Sequence, residues 1–424
     1  MQTISLPYGK KALNLNIPEN KLKGILVSSG HQQTGIENQK EIVKKALKKP
    51  VKTPKLRELA RGKDKITIIS SDHTRPVPSK ITMPLILDEI RQGNSEVDII
   101  ILVATGFHRP STEKELIAKY GEEIFNKEKI IVHNSKDKKN MVSLGSLPSG
   151  DELKINKAAV NCDLLVAEGF IEPHFFAGFS GGRKSVLPGI ASAENIMVNH
   201  CSEYIKHEKA RAGILKENPL NEEMISAARK AGLDFILNVV LNNQKEIIKA
   251  FAGHFEKAHQ QGCNYVAGNA GVSKKPADIV ITTNGGYPLD QNIYQTVKSL
   301  STAEATCKKR GVIIAVSECS DGHGGESFYN TFAQSNSIAE IRKQIINRPK
   351  HQTIPDQWET QILARILADY EVILVSEVDK EIVENMFIHW ASDVKNAINK
   401  AEKLLGTDDY EITVIPDGIS VIID

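Results

Sequence analysis

Residues 65–79, KITIISSDHTRPVPS, hold a short isoleucine-rich apolar run that ends abruptly in charged and polar residues. Runs of this length and composition are typical of buried β-strands. The segment after this run contains two prolines, which are typical of turns. An amphipathic stretch comes next. The same order of apolar run, polar turn and amphipathic stretch recurs along the chain, and this alternation predicts an α/β fold with mostly parallel sheets.

The other clear strand-like runs are VDIIILVATG, KIIVHN, DLLVAEGF, DFILNVVLN, ADIVITTNGG, GVIIAVSEC and EVILVSE. Helix starts are also visible between them. Thr112 and Glu115 have the spacing of a capping box, and Asp290 is placed to cap a helix that runs through Lys298. His200 is predicted to lie in a helix opened by Ser192.

The chain has 424 residues, which is long for one ordinary domain and suitable for two. Residues 268–277, GNAGVSKKPA, combine small residues, lysines and a proline, and we predict a linker there. The first α/β domain would span residues 1–272 and the second residues 273–408. The tail, residues 409–424, is predicted to form a hairpin around Pro-Asp-Gly that pairs with the N-terminal strand and joins the first domain.

Composition excludes several classes of protein. Hydrophobic residues make up 41% of the chain and charged residues 25%, as in soluble globular proteins. The net charge of +2 comes from interspersed basic and acidic residues, which argues against nucleic-acid binding and leaves small anions as partners. The longest apolar run, residues 99–104, is far below the ~20 residues that span a bilayer. Scattered cysteines and the lack of a signal-like N-terminus predict a cytoplasmic protein.

Polar turns follow several of the predicted strands. Ligands bind beyond the carboxyl ends of open parallel sheets, so these turns are candidate site segments. Each residue alone is more simply a helix cap or a surface ion pair, but their joint placement favours an active site in a cleft between the two domains. The segments are Asp72-His73-Thr74-Arg75-Pro76, Thr105 to Pro110 with His108, Glu168-Gly169-Phe170 leading to His174, Thr283 to Gly286, and Asp321 to Gly325.

Residues 178–185, GFSGGRKS, nearly match a phosphate-binding P-loop, but Arg183 stands where the second glycine is required. An NTPase is therefore disfavoured, although anion binding remains open. Lys184 is a candidate nucleophile or anion clamp, and His174 and His200 are candidates for proton transfer or metal binding. The sequence shows no cluster of metal ligands, so His200 could bind a metal only if a cofactor supplied the other ligands.

Long motifs in a fixed order resemble those of the nickel-pincer-dependent lactate racemase family of 2-hydroxyacid racemases. The resemblance covers essentially the whole chain. It implies an isomerase that interconverts D- and L-lactate or a closely related 2-hydroxyacid. The motifs are SSDHTRPVPS, ATGFHRPST, GFIEPHFFAGFSGGRKSVLPGI, TTNGGYPLDQNIYQ and IPDQW.

The resemblance also implies a cofactor, the nickel-pincer nucleotide, which is pyridinium-3,5-bisthiocarboxylic acid mononucleotide with nickel. A thioamide would attach it covalently to Lys184, and His200 would supply the remaining nickel ligand. The cofactor site would lie in the first domain, and cofactor-synthesis proteins would be partners during maturation. The residues implied to bind the nucleotide's ribose and phosphate are Asp72, His73, Thr74 and Arg75.

In this family two histidines act as acid and base, and the matching residues are His108 and His174, one for each substrate enantiomer. The α-hydrogen beside an ionised carboxylate is poorly acidic, so we expect hydride removal from carbon, while an imidazole takes the hydroxyl proton and a bound 2-oxoacid forms. Arg75, Gln295 and Lys298 would bind the substrate carboxylate, although Arg75 could bind phosphate instead.

Three alternatives remain open from the sequence. The substrate could be a larger 2-hydroxyacid, because only the side-chain pocket discriminates between such acids, and Tyr294 and Trp358 are either walls of that pocket or ordinary packed aromatics. The glycine loop could serve a nucleotide-dependent phosphotransferase. The chain could also be a non-enzymatic sensor that closes on a carboxylate or nucleotide.

Overall fold

The computed structural model describes residues 1–30 and 38–424. The chain forms two compact units, each of which contains one large sheet. We call the first the N-unit, with Gly30–Asn199 and His207–Asn269, and the second the C-unit, with Met1–Ser29, His200–Lys206 and Ala270–Asp424. None of the helices in these described ranges is both long and apolar enough to cross a bilayer.

The strands are β1 (Gln2–Tyr8), β2 (Lys11–Ile17), β3 (Leu22–Ile25), β4 (Lys65–Ser71), β5 (Asp98–Ala104), β6 (Lys129–Val132), β7 (Met141–Ser146), β8 (Glu152–Asn156), β9 (Leu164–Phe170), β10 (Pro173–His174), β11 (Gly178–Phe179), β12 (Leu233–Leu241), β13 (Ile247–Gly253), β14 (Gly271–Val272), β15 (Ala277–Thr283), β16 (Cys307–Val316), β17 (Glu371–Val375), β18 (His389–Ala391), β19 (Ile412–Ile415) and β20 (Ile422–Ile423).

The α-helices are α1 (Gln39–Lys48), α2 (Leu56–Leu59), α3 (Ser79–Gly93), α4 (Glu113–Tyr120), α5 (Glu122–Lys127), α6 (Lys157–Val160), α7 (Ala193–Asn199), α8 (Ser202–Ile205), α9 (Pro219–Lys230), α10 (Phe255–Ala270), α11 (Ile293–Ala303), α12 (Glu326–Ala333), α13 (Ile338–Ile346), α14 (Gln357–Asp369), α15 (Lys380–Glu384) and α16 (Val394–Leu405).

The N-unit is built on a six-stranded sheet in the order β13-β12-β9-β4-β5-β6. Its strands are parallel except for the edge strand β13, which pairs antiparallel with β12. Every residue of β9 is buried, as expected of a parallel strand that is covered on both faces. All the strand-like runs quoted above form strands, and the predicted α/β class with mostly parallel sheets is confirmed.

The C-unit holds a second six-stranded sheet, in the order β18-β17-β16-β15-β19-β3, and all its strands are parallel. The predicted hairpin over residues 409–424 is wrong, because β19 lies between β3 and β15 while β20 pairs with β14. The Pro-Asp-Gly segment instead packs at the end of β15, where Thr283 donates its hydroxyl to the Pro416 carbonyl (2.6 Å) and accepts the Gly418 N–H at its own carbonyl (2.9 Å).

Both ends of the chain therefore lie in the C-unit, whereas the predicted first domain included residues 1–29. The N-terminal strands β1 and β2 pair with each other, and β3 forms the edge of the C-unit sheet. The chain passes between the units at Asn269 and Ala270, within the predicted linker segment.

Helix starts follow the local signals in most places. Thr112 and Glu115 form the predicted capping box of α4, and the Ser192 hydroxyl accepts the Asn195 N–H at the start of α7. His200 comes directly after that helix ends. The predicted cap of α11 is wrong, because Asn292 caps the helix. The Asp290 carboxylate is buried and instead accepts the N–H of Gly9, which ties down the β1–β2 turn.

One buried histidine joins three segments of the N-unit. His133 follows β6, and its Nε2 lies 3.0 Å from the Ala191 carbonyl while Asn156 donates to its Nδ1 (3.1 Å). Thr105, at the end of β5, donates to the His133 carbonyl (2.8 Å). Burial lowers the pKa of His133 to about 4, although the Ala191 carbonyl favours the charged form, so the ring is neutral at physiological pH.

Because the buried His133 ring is neutral, we predict that the free energy of unfolding falls steeply in acid. The pKa rises from about 4 in the folded chain to the ordinary value of about 6.5 on unfolding, so the unfolded chain binds more protons between these values. The contribution of His133 to the free energy of unfolding is fully present above pH 6.5. It falls as the pH is lowered toward 4, by about 1.4 kcal/mol per pH unit. Denaturant titrations of His133→Gln should show a shallower dependence in this window. His389→Gln, which changes an exposed imidazole, should keep the wild-type slope, and equal slopes in all three proteins would refute the assignment.

Candidate active site

The candidate residues of the N-unit follow three neighbouring strands, β9, β4 and β5. Residues 72–75 follow β4, His108 lies in the turn after β5, and His174 and Lys184 lie in the segment after β9. Because parallel strands end at the same edge of a sheet, the three segments emerge side by side. A hydrogen bond from the Gly106 N–H to the Gly189 carbonyl (3.0 Å) joins the turn after β5 to the segment that carries Lys184.

Asp72 and His108 form a carboxylate–imidazole pair. The Asp72 side chain is 1% exposed, and its Oδ2 lies 2.7 Å from His108 Nδ1, while the half-exposed imidazole belongs to a different turn. The other carboxylate oxygen accepts the N–H (3.1 Å) and the hydroxyl (2.6 Å) of Thr74. Since Nδ1 is held by Asp72, Nε2 is the nitrogen with which His108 can exchange a proton with a ligand.

Burial by itself raises the pKa of Asp72, but the hydrogen bond and charge of His108, the charge of Arg75 and the Thr74 hydroxyl outweigh it. The net pKa lies well below the usual range, so Asp72 is a carboxylate throughout the physiological range and can accept a hydrogen bond from His108 Nδ1. The family resemblance groups Asp72 with the nucleotide-binding residues, whereas the structure pairs its side chain with His108. An aspartate and a histidine that follow neighbouring strands are the sequence signal for this pair.

The two other side chains of this turn face different surroundings. His73 Nδ1 lies 2.9 Å from the Ser111 hydroxyl, next to the start of α4, and burial lowers the pKa of His73. Arg75 is half-buried, and its positive charge lies near enough to favour ionised Asp72. A guanidinium in this position can bind either a phosphate or a carboxylate.

The structure brings His174 and Lys184 together. Lys184 Nζ lies 3.2 Å from His174 Nε2, and His174 Nδ1 accepts the backbone N–H of Ala177 (3.3 Å). Phe175 stacks on the imidazole and Phe176 meets it edge-on, with ring centroids 5.1 and 4.5 Å away. Lys184 stands on a single 3₁₀ turn, Gly182–Ser185, and is half-buried. A candidate nucleophile and a candidate acid/base group thus face each other.

The glycine loop differs from a phosphate-binding loop. Gly181 and Gly182 have φ values of +77° and +53°, and a Cβ on Gly182 would lie 2.7 Å from the His259 ring. The N–H of Gly182 is donated to Asn238 Oδ1 (2.8 Å) and the N–H of Lys184 to the Gly181 carbonyl (3.2 Å). Since these two amides already donate to acceptors within the protein, the phosphotransferase alternative loses its main support.

Glu168 is an internal structural group, although it lies in one of the predicted site segments. Its side chain is 1% exposed and accepts hydroxyl hydrogen bonds from Ser70 (2.6 Å) on β4 and from Ser79 (3.0 Å) and Thr82 on α3. These contacts join β9 to β4 and to the helix that follows it. A polar residue at a strand end does not by itself reveal whether its side chain faces the loop or the interior.

In the C-unit, Gln295 and Lys298 lie on α11, and Lys298 Nζ donates to Gln295 Oε1 (2.5 Å). Glu359 on α14 is buried; burial raises its pKa to about 8, although the charge of Lys298 opposes this shift. Tyr294 and Trp358 are joined by a hydrogen bond, in which the Trp358 indole N–H donates to the Tyr294 phenol oxygen (2.9 Å). Tyr294 also packs edge-on against Phe328, with the ring centroids 5.4 Å apart.

His200 is a buried imidazole of the C-unit, with its ring centroid 4.9 Å from that of Trp358. Across the described ranges, no group of three or more His, Cys, Asp or Glu side chains is arranged to hold a metal ion. His200 carries an imidazole nitrogen and Lys184 an amine, the donor types with which a chain can bind a metal-bearing cofactor and become attached to it.

Comparisons with known proteins cover the whole chain. Family models described as the lactate racemase N-terminal domain and C-terminal domain match residues 8–213 and 272–423. A curated lactate racemase from Thermoanaerobacterium thermosaccharolyticum is 54% identical over 424 residues, covering 100% of this chain and 99% of that one. Another, from Lactiplantibacillus plantarum, is 51% identical over 100% of both chains.

Solved structures show the same correspondence. The lactate racemase apoprotein from T. thermosaccharolyticum superposes with a TM-score of 0.96 at 53% identity, over 100% of both chains. A Thermotoga maritima protein superposes with a TM-score of 0.65 at 17% identity, over 94% of this chain and 100% of that one. This second likeness concerns the fold alone.

Proposed function

Because the chain belongs to the lactate racemase family, we propose that it is an isomerase that interconverts D- and L-lactate. The observation that carries this proposal is the pair of imidazoles in the N-unit, each held by a different partner. His108 is supported by Asp72, and His174 lies beside Lys184. A phosphotransferase or a passive sensor would not need two such groups at the ends of neighbouring strands.

Racemisation needs proton transfer for either enantiomer, and two imidazoles on separate segments meet that need. His108 follows β5 and His174 follows β9, with β4 between these strands. We assign one histidine to each enantiomer. The histidine that faces the substrate hydroxyl takes its proton as the C2–H bond breaks, and the other returns a proton to the oxygen when the opposite enantiomer forms.

Three parts of the chain would hold a cofactor. Lys184 would attach the nickel-pincer nucleotide, His200 would be the protein ligand of its nickel, and the nucleotide part would be bound by the turn after β4, Asp72 to Arg75. When bound, this group supplies the acceptor and donor of hydride at C2. Its attachment to an amine beside His174 is consistent with the 3.2 Å contact between those side chains.

The substrate carboxylate would be bound by cationic and amide groups. Lys298 and Gln295 are already paired on α11, and Arg75 offers a guanidinium fork that can bind a carboxylate through two hydrogen bonds. Tight binding at this end would keep the 2-oxoacid from leaving between the two half-reactions. Any 2-hydroxyacid shares these contacts, so a larger acid is the second candidate substrate within the same reaction.

Hydride transfer predicts that C2 keeps its own hydrogen. Lactate recovered after racemisation in D₂O by the loaded enzyme should carry protium at C2, because imidazoles exchange only the hydroxyl proton with solvent. Proton NMR and mass spectrometry of the recovered lactate measure this directly. Deuterium at C2 that accumulates in step with racemisation would contradict the hydride step and indicate proton abstraction from carbon.

Covalent attachment predicts added mass on Lys184. After expression with the cofactor-synthesis proteins, intact-mass and peptide mass spectrometry should find the adduct on the peptide that contains Lys184. Lys184→Ala should lack the adduct. Lys216→Ala, which removes a 91% exposed lysine of the same unit, is the matched control and should retain it. An unmodified wild-type chain under these conditions would argue against the cofactor.

If two histidines act as acid and base, removing either one should cause a large loss of turnover. His108→Ala and His174→Ala should each lower kcat by about 10²–10⁴, because each removes an acid/base group from one half-reaction. Asp72→Asn should also lower kcat, because the amide no longer fixes the orientation and tautomer of the His108 imidazole. Circular dichroism and the Lys184 adduct verify that each variant is folded and loaded. Near-normal turnover by either alanine variant would refute the two-base assignment.

A further inference from the structure

Arg183 is a buried cation inside the loop that carries Lys184. Its side chain is 1% exposed and belongs to the largest fully buried side chains described. We propose that Arg183 is a positioning residue that fixes His174 and Lys184 relative to each other. The geometric part of this inference stands on the N-unit alone, while its consequence for catalysis rests on the proposed function.

The guanidinium is enclosed by neutral acceptors. Its Nε donates to Asn221 Oδ1 (2.8 Å) on α9. Nη1 donates to the carbonyls of Phe179 (2.7 Å) and Gly181 (3.3 Å), and Nη2 donates to the carbonyl of Ala177 (2.7 Å). These carbonyls belong to alternate residues of one short segment. The segment therefore wraps around its own arginine side chain.

The charge is retained despite its burial. Burial lowers the pKa of Arg183 to about 10, which still leaves the group protonated at neutral pH. His259, whose Nε2 lies 3.2 Å from Nη1, is neutral because burial and the charge of Arg183 lower its pKa to about 3. Among the described residues, no carboxylate lies within ion-pair distance of Arg183. A buried cation is costly unless its donors are satisfied, so the acceptors must be held in place around it.

Ala177 connects this cage to the candidate site. Its carbonyl accepts from Arg183, and its N–H donates to His174 Nδ1 (3.3 Å). His174 Nε2 in turn lies 3.2 Å from Nζ of Lys184, the residue that directly follows Arg183. These contacts link the Arg183 side chain to the Ala177 backbone, Ala177 to His174, and His174 to Lys184, which is covalently next to Arg183. A change in the guanidinium position would therefore move His174 and Lys184 relative to each other.

The glycines of the loop permit this wrapping. Gly178 and Gly181 have φ values of +78° and +77°, in the left-handed region that side chains other than glycine rarely adopt. A Cβ on Gly178 would lie 2.3 Å from the Ile214 carbonyl, and one on Gly181 would lie 2.6 Å from the Phe170 carbonyl. The glycine-rich sequence that resembles a P-loop thus encloses a guanidinium.

The test compares Arg183→Lys with Arg229→Lys, which alters an exposed, carboxylate-paired arginine on α9 of the same unit. Lysine keeps the charge but lacks the planar fork, so it cannot satisfy the same carbonyls. In the loaded enzyme, Arg183→Lys should lower the fraction of chains with the Lys184 adduct and reduce kcat by about 100-fold, with little change in KM. In the apoprotein, hydrogen exchange at the Ala177 amide should be faster. Arg229→Lys should match wild type in all three measurements.

The outcomes separate the positioning role from the proposed function. If wild type acquires no adduct, the proposed function fails, while the exchange measurement still tests the positioning role. If Arg183→Lys loses only thermal stability and retains loading, kcat and Ala177 exchange below its melting temperature, the inference is overturned. If Arg183→Lys does not fold, Asn221→Ala is tested instead, because it removes a single acceptor of the guanidinium. In Asn221→Ala, kcat should fall about three- to tenfold. An unchanged kcat together with unchanged exchange at the Ala177 amide overturns the inference.

Discussion

The parallel register of β9, β4 and β5 is the constraint on which the N-unit site depends. Ser71 pairs with Ala104 and Ile69 pairs with Ala167, so the three strands end at nearly the same height. Asp72 is the first residue after β4, and its carboxylate can reach His108 only because the neighbouring strand ends level with it. A strand shifted by one residue would also turn its side chains to the opposite face of the sheet.

Buried polar groups hold the segments at this edge of the sheet in one conformation. Glu168 accepts hydrogen bonds from hydroxyl groups of β4 and α3 and so holds these two elements and β9 together. Arg183 organises the segment after β9, and His133 joins the ends of β5 and β6 to the segment around Ala191. Each of these groups is costly to bury without its partners, so each requires its surroundings to keep one conformation.

The sequence predicts the periodic parts of this protein well and the non-local parts poorly. The apolar runs, the α/β class, the capping box at Thr112 and the family are all confirmed. The C-terminal hairpin was wrong because the Pro-Asp-Gly signal is local, whereas the place of β19 between β3 and β15 depends on pairing with distant segments. For the same reason the partners of Glu168 and Arg183 could not be derived. The catalytic and binding roles stay predictions.

The two imidazoles differ in their hydrogen-bond partners, and this difference bears on the proposed reaction. His108 turns Nδ1 toward the Asp72 carboxylate, which leaves Nε2 for a ligand, whereas His174 accepts the Ala177 N–H at Nδ1 and has its Nε2 3.2 Å from Nζ of Lys184. On the proposed function, Nε2 is therefore the nitrogen through which each histidine would exchange a proton with the substrate. A group attached to Lys184 would lie beside that nitrogen of His174, so the lysine would place the cofactor against one of the two acid/base groups, whereas His108 depends on a carboxylate partner of its own.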